Sequence, residues 1–147
     1  MKRTTLFLFL SISGVIASTA LAHQGVKDPQ VMARMHTMKA IGEAVKVLGD
    51  MAKGVRAFDI VASQEALDDI ARHARETPAL FAPEADDPKS EARPEIWQNF
   101  EDFTRKSKEL ESISVSLRAS FSGSADLRPA LMRIGENCKS CHAIYRE

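Results

Sequence analysis

The chain has 147 residues, 44% of them hydrophobic, with twenty basic and twenty acidic side chains and a formal net charge of zero. That length suits one domain with its own core, and the balanced charge argues against nucleic acid as a partner.

The first stretch, MKRTTLFLFLSISGVIASTALA, places Lys2 and Arg3 before an apolar run from Leu6 to Ile16 and ends on the small residues around Ala20-Leu21-Ala22. This is the three-part layout of a secretory signal, and it predicts cleavage after Ala22 and export of residues 23–147 as one domain. A membrane anchor would need roughly 20 apolar residues, and this run is shorter and interrupted by serines and a glycine. The mature chain is therefore expected not to span a membrane. Loss of Lys2 and Arg3 leaves it two more acids than bases.

Four amphipathic helices follow, and no stretch alternates as a half-buried strand would. The first is predicted from an Asp28 cap, with Pro29 at the first helical position, to about Lys53, where Gly54 can take a left-handed closing conformation. Its apolar stripe reads Val31, Met35, Met38, Ile41, Val45 and Leu48. The second is expected to start near Asp59 or Ser63 and to stop before Pro78, burying Leu67, Ile70 and Ala74. A proline-rich, acidic loop then leads to a third helix opening at Pro94 and carrying Ile96, Phe100, Phe103, Leu110, Ile113, Leu117 and Phe121 before Gly123.

The fourth helix is expected to cap at Asp126, which leaves Pro129 in the first turn, where its missing N–H costs least. From there Leu127, Leu131, Ile134, Cys138, Cys141 and Tyr145 recur at helical spacing. The expected fold is all-α, and four helices with short links bury their stripes most simply as an antiparallel four-helix bundle.

The only two cysteines lie on that last stripe, in Cys138-Lys139-Ser140-Cys141-His142. Residues three and four apart share a helix face, so both thiols and the imidazole project to one side within a turn. This is the pattern read as c-type haem attachment, with Cys138 and Cys141 forming thioethers and His142 reaching the iron. The alternatives fit less well. A zinc site would have to recruit scattered histidines, a thioredoxin-like pair would open a helix after a strand, and a disulfide across two residues would close only a tiny loop. No acid/base pair or nucleophile constellation stands out beside the motif, so the expected role is not enzymatic.

A C-x-x-C-H motif in the last helix of an exported four-helix chain resembles the class II cytochromes c, the cytochrome c prime family. The likeness covers nearly all of the mature chain: Arg34-x-x-x-Met38-Lys39-Ala40-Ile41-Gly42 is similar to the family's first helix, RPEIW at 93–97 to the start of its third, and IGENCKSCHAIYR at 134–146 to its haem helix. The resemblance implies a left-handed antiparallel four-helix bundle with one covalently bound haem c, a periplasmic location and redox proteins as partners. Some members pair through their first two helices, so a homodimer is an open alternative.

The family divides at the sixth coordination position. In its high-spin branch an apolar residue blocks that face, the iron is five-coordinate, and NO or CO can bind. In its low-spin branch a first-helix methionine is the ligand and the protein carries electrons. MKAIGEAVKVLGDMAKGVRAFD at 38–59 is similar to the low-spin branch, which implies Met38 as the distal ligand. Met35, about 60° away around the helix, remains a competitor. His36, about 200° from Met38, is expected to point away, and His73 and His23 are expected to be solvated. The same resemblance implies that Arg34 lies close to a haem propionate and Arg146 near the proximal ligand; for both, an ordinary surface arginine is the alternative.

Overall fold

The computed structural model describes residues 25–147, so the secretory signal and His23 lie outside the described residues. Helix α1, Pro29–Ala52, opens on Asp28, whose carboxylate accepts from the backbone N–H groups of Gln30 at 2.8 Å and Val31 at 3.0 Å. It closes as expected: Gly54 has φ +74°, a left-handed conformation that glycine adopts without strain.

Helix α2, Ile60–Phe81, is capped by Asp59, which accepts from the Ala62 N–H at 3.1 Å. Contrary to expectation it runs through Pro78. A proline in a helix leaves the carbonyl four residues earlier without its donor. Here that carbonyl, on Ala74, accepts a 2.7 Å hydrogen bond from the buried Ser107 hydroxyl of a neighbouring helix. The extra turn delivers Phe81 into the core.

The expected third helix is broken in two. Helix α3, Glu95–Gln98, and helix α4, Phe100–Ser120, meet at Asn99, which has φ −131° and ψ 45°. Asparagine leaves helical geometry at low cost, because its side chain competes with the backbone for hydrogen bonds. A 3-10 turn, Ser124–Asp126, precedes helix α5, Leu127–Tyr145. Asp126 stands at the α5 cap position, but its carboxylate turns backward to accept from the Ser122 N–H and hydroxyl and the Gly123 N–H. Those bonds hold its pKa below the usual carboxylate value.

The four long helices form a closed ring: α1 packs on α2, α2 on α4, α4 on α5, and α5 returns to α1, with α3 seated on α4 and α5. The result is an all-helical four-helix bundle. Among the described residues no β-strand forms, the single sheet-like pairing being an isolated antiparallel bridge between Ala92 and Arg146. No described helix is long and apolar enough to cross a membrane.

Two apolar clusters hold the bundle. The larger includes Ile41, Leu48, Leu67, Ile70, Leu117 and Ile134; the smaller is Phe81, Ile96, Phe103 and Tyr145. Each fully buried aliphatic side chain contributes roughly 1.5–3 kcal/mol, against about 0–1 for an exposed ion pair, so the clusters and not the surface charges set the helix arrangement. On α1 the buried face is Val31, Arg34, Thr37, Ile41, Ala44, Leu48 and Met51. That face is rotated from the expected stripe because α1 contacts both α2 and α5, and small or polar residues fill the close contacts.

Candidate functional site

Cys138 and Cys141 are unpaired thiols, each half-buried. They point into different parts of the core: Cys138 packs against the larger cluster and Cys141 against the smaller. Burial pushes both thiols up, Cys141 to about 11 even with Lys106 nearby opposing the shift. The thiols are therefore protonated at neutral pH, the opposite of an activated redox pair. His142 follows at the rim of α5. Its side chain is exposed, and partial desolvation, then the positive charge of Arg146, lowers its pKa with Glu91 opposing, which favours the neutral ring and its nitrogen lone pair.

Met38 lies on the seam between the two clusters and is the one partly buried side chain packed against both, among the described residues. The seam thus has Met38 from α1 on it, Cys138 on one side and Cys141 on the other. Met35 is half-buried but outside both clusters, and His36 is exposed. His73 departs from expectation: its side chain is only 17% exposed, with Nδ1 facing Glu76 Oε2 at 3.3 Å, beside a groove between α1 and α2.

The donor set fits a haem better than a bare ion. Two neutral thiols and an imidazole occupy one helical turn, and a soft thioether stands on the neighbouring helix. Among the described residues no three histidine, cysteine or carboxylate side chains converge as a site for a metal ion alone.

Arg34 is 2% exposed. Its Nε donates to the Leu80 carbonyl and Nη1 to the Ala85 carbonyl, both at 3.1 Å, and Nη2 donates to the Pro83 carbonyl. The guanidinium also lies 4.8 Å from the Phe81 ring centre and 5.3 Å from that of Trp97, whose indole N–H donates to the Phe81 carbonyl at 2.8 Å. Arg34 is therefore not a surface arginine. It fastens the 80–85 segment to α1 one turn before Met38. Replacing it with alanine is expected to cost about 3 kcal/mol, because charge-assisted hydrogen bonds and ring contacts go together. Lysine should recover little, lacking the planar fork, as urea denaturation of the haem-loaded protein will show.

Arg146, four residues beyond His142 and close enough to lower its pKa, has an exposed side chain that is ion-paired with Glu91 at 2.5 Å. Sequence reasoning missed three contacts here: Trp97 against Arg34, Glu91 on Arg146, and the Tyr145 hydroxyl donating to Asp102 Oδ2 at 2.8 Å. Only Trp97 left a trace beforehand, within RPEIW.

A family model described as Cytochrome C' matches residues 29–146. Cytochrome c-556 of Agrobacterium tumefaciens (strain apple 185) is 35% identical over 115 residues, spanning 78% of this chain and 91% of the relative. Two Rhodopseudomonas palustris structures each align with 82% of this chain and 98% of their own. For the cytochrome c' the TM-score is 0.76 at 28% identity, and for the oxidized cytochrome c556 it is 0.75 at 26%.

Proposed function

Because the chain belongs to the cytochrome c' family, the class II cytochromes c, it is a monohaem c-type electron carrier with covalently bound haem c, and we propose that it is a low-spin, His/Met-ligated one. The observation that carries this reading is Met38 on the seam between the clusters that receive the two cysteines. When bound, the haem supplies an iron that accepts and returns one electron.

Each residue then has a role. With haem bound, Cys138 and Cys141 would form the thioethers, and His142 and Met38 would be the residues that hold the iron. As a ligand, the soft sulfur of Met38 would favour the reduced metal and raise the potential. Held in both oxidation states, it would also limit rearrangement. The apolar side chains of both clusters exclude water, so charge is felt more strongly there than in solvent. Arg34 has five N–H donors and spends three on loop carbonyls, leaving two for a propionate. The signal layout of residues 1–22 supports a periplasmic location, where other redox proteins are the partners.

Visible spectra of the oxidised and reduced holoprotein, with and without CO, test the ligation. The expected result is a low-spin spectrum in both states that CO does not change at once. A high-spin reduced form that takes up CO immediately would instead identify a five-coordinate, NO- or CO-binding protein.

A further inference from the structure

His142 lies in the last turn of α5, where helices fray because their final carbonyls lack intrahelical donors. A ligand on a fraying turn would be held loosely, yet this turn is fastened in three ways: by its own cap bond, by the 91–93 segment and by α4. The His142 carbonyl accepts from the Arg146 N–H at 3.2 Å, and the Tyr145 carbonyl accepts from the Arg93 N–H at 3.1 Å. The Glu147 N–H donates to the Glu91 carbonyl at 3.0 Å, alongside the Glu91–Arg146 ion pair and the Ala92–Arg146 bridge.

The third fastening is a side chain. Tyr145 is 4% exposed, meets Phe103 edge-on with ring centres 5.4 Å apart, and donates its hydroxyl to Asp102 on α4. Asp102 is itself fixed by Arg105, whose Nη2 reaches Oδ1 at 2.5 Å. The link therefore ends on a pinned carboxylate, and it begins three residues after His142 on the face that carries Cys141.

We propose that Tyr145, through its hydrogen bond to Asp102, is a positioning residue that sets the orientation of the His142 imidazole. The proposal rests on the reading of His142 as the proximal ligand. A hydroxyl is not needed for packing, since phenylalanine would fill the same apolar place. The bond supplies direction, because it fixes the rotation of the last turn relative to α4.

Two haem-loaded variants test this. Tyr145→Phe removes the hydroxyl and leaves ring and charge intact; Asp102→Ala removes the acceptor from the other side. Both are expected to speed amide exchange at Tyr145 and Arg146 by about tenfold or more, as loss of a hydrogen bond to a charged group should. Both should also alter the spread of haem methyl NMR shifts in the oxidised protein in the same sense, since that spread reports the imidazole plane. A packing role alone would leave Tyr145→Phe unchanged. Parent-like exchange and methyl shifts in Tyr145→Phe overturn the proposal by itself, whereas a parent protein with no imidazole on its iron overturns the His142 reading and the proposal together.

Discussion

Met38→Ala is expected to turn the low-spin holoprotein high-spin and to let its reduced form take up CO, while Met35→Ala leaves the spectrum as it was. The difference follows from placement. Met38 is packed against both clusters and Met35 against neither, although both are methionines on α1. Alanine removes the sulfur and also opens a void, and truncating a buried methionine costs about 2–5 kcal/mol, with the lower end apt for a half-buried one. Met38→Leu separates the two effects. It keeps the volume, so stability should fall by less than about 1.5 kcal/mol, yet the spectrum should change as it does for alanine. A lower reduction potential should accompany the change, since the thioether no longer favours the reduced metal. A low-spin spectrum retained in Met38→Leu would remove Met38 from the coordination sphere.

What could be read in the sequence was what local chemistry decides. Asp28 and Gly54 bound α1 through bonds and dihedrals set within a few residues, and the five residues 138–142 announce the haem through spacing on one helix. The misreadings share a cause, which is a partner distant in the chain. Pro78 reads as a stop unless the Ser107 hydroxyl is known to lie against Ala74, 33 residues away. Tyr145 reads as one more stripe residue until Asp102 is seen at its hydroxyl, 43 residues earlier. Arg34 shows the limit most clearly, since three carbonyls between residues 80 and 85 and two aromatic rings turn a charged residue into part of the core. Asn99 differs in kind: its break is local, but the surrounding apolar period masks it.

Replacing both cysteines, Cys138→Ser with Cys141→Ser, is expected to abolish covalent haem. Acid acetone should extract all of it, and the protein should weigh no more than its polypeptide. Either single variant should keep one thioether and resist extraction. The double variant should lose Met38 ligation as well, for a reason of effective concentration. A methionine thioether is a weak ligand, and it competes with water for the iron only when the iron is kept close by. Tethering converts that second contact into an intramolecular one with an effective concentration in about the millimolar range or above. Cys138 and Cys141 are suited to this because they pack against the two clusters that meet at Met38, so thioethers there would keep the haem close to that sulfur. His142, one residue beyond the second tether on the same turn, gains from the same proximity. Haem still resistant to extraction in the double variant would show that a group other than these thiols makes the bond.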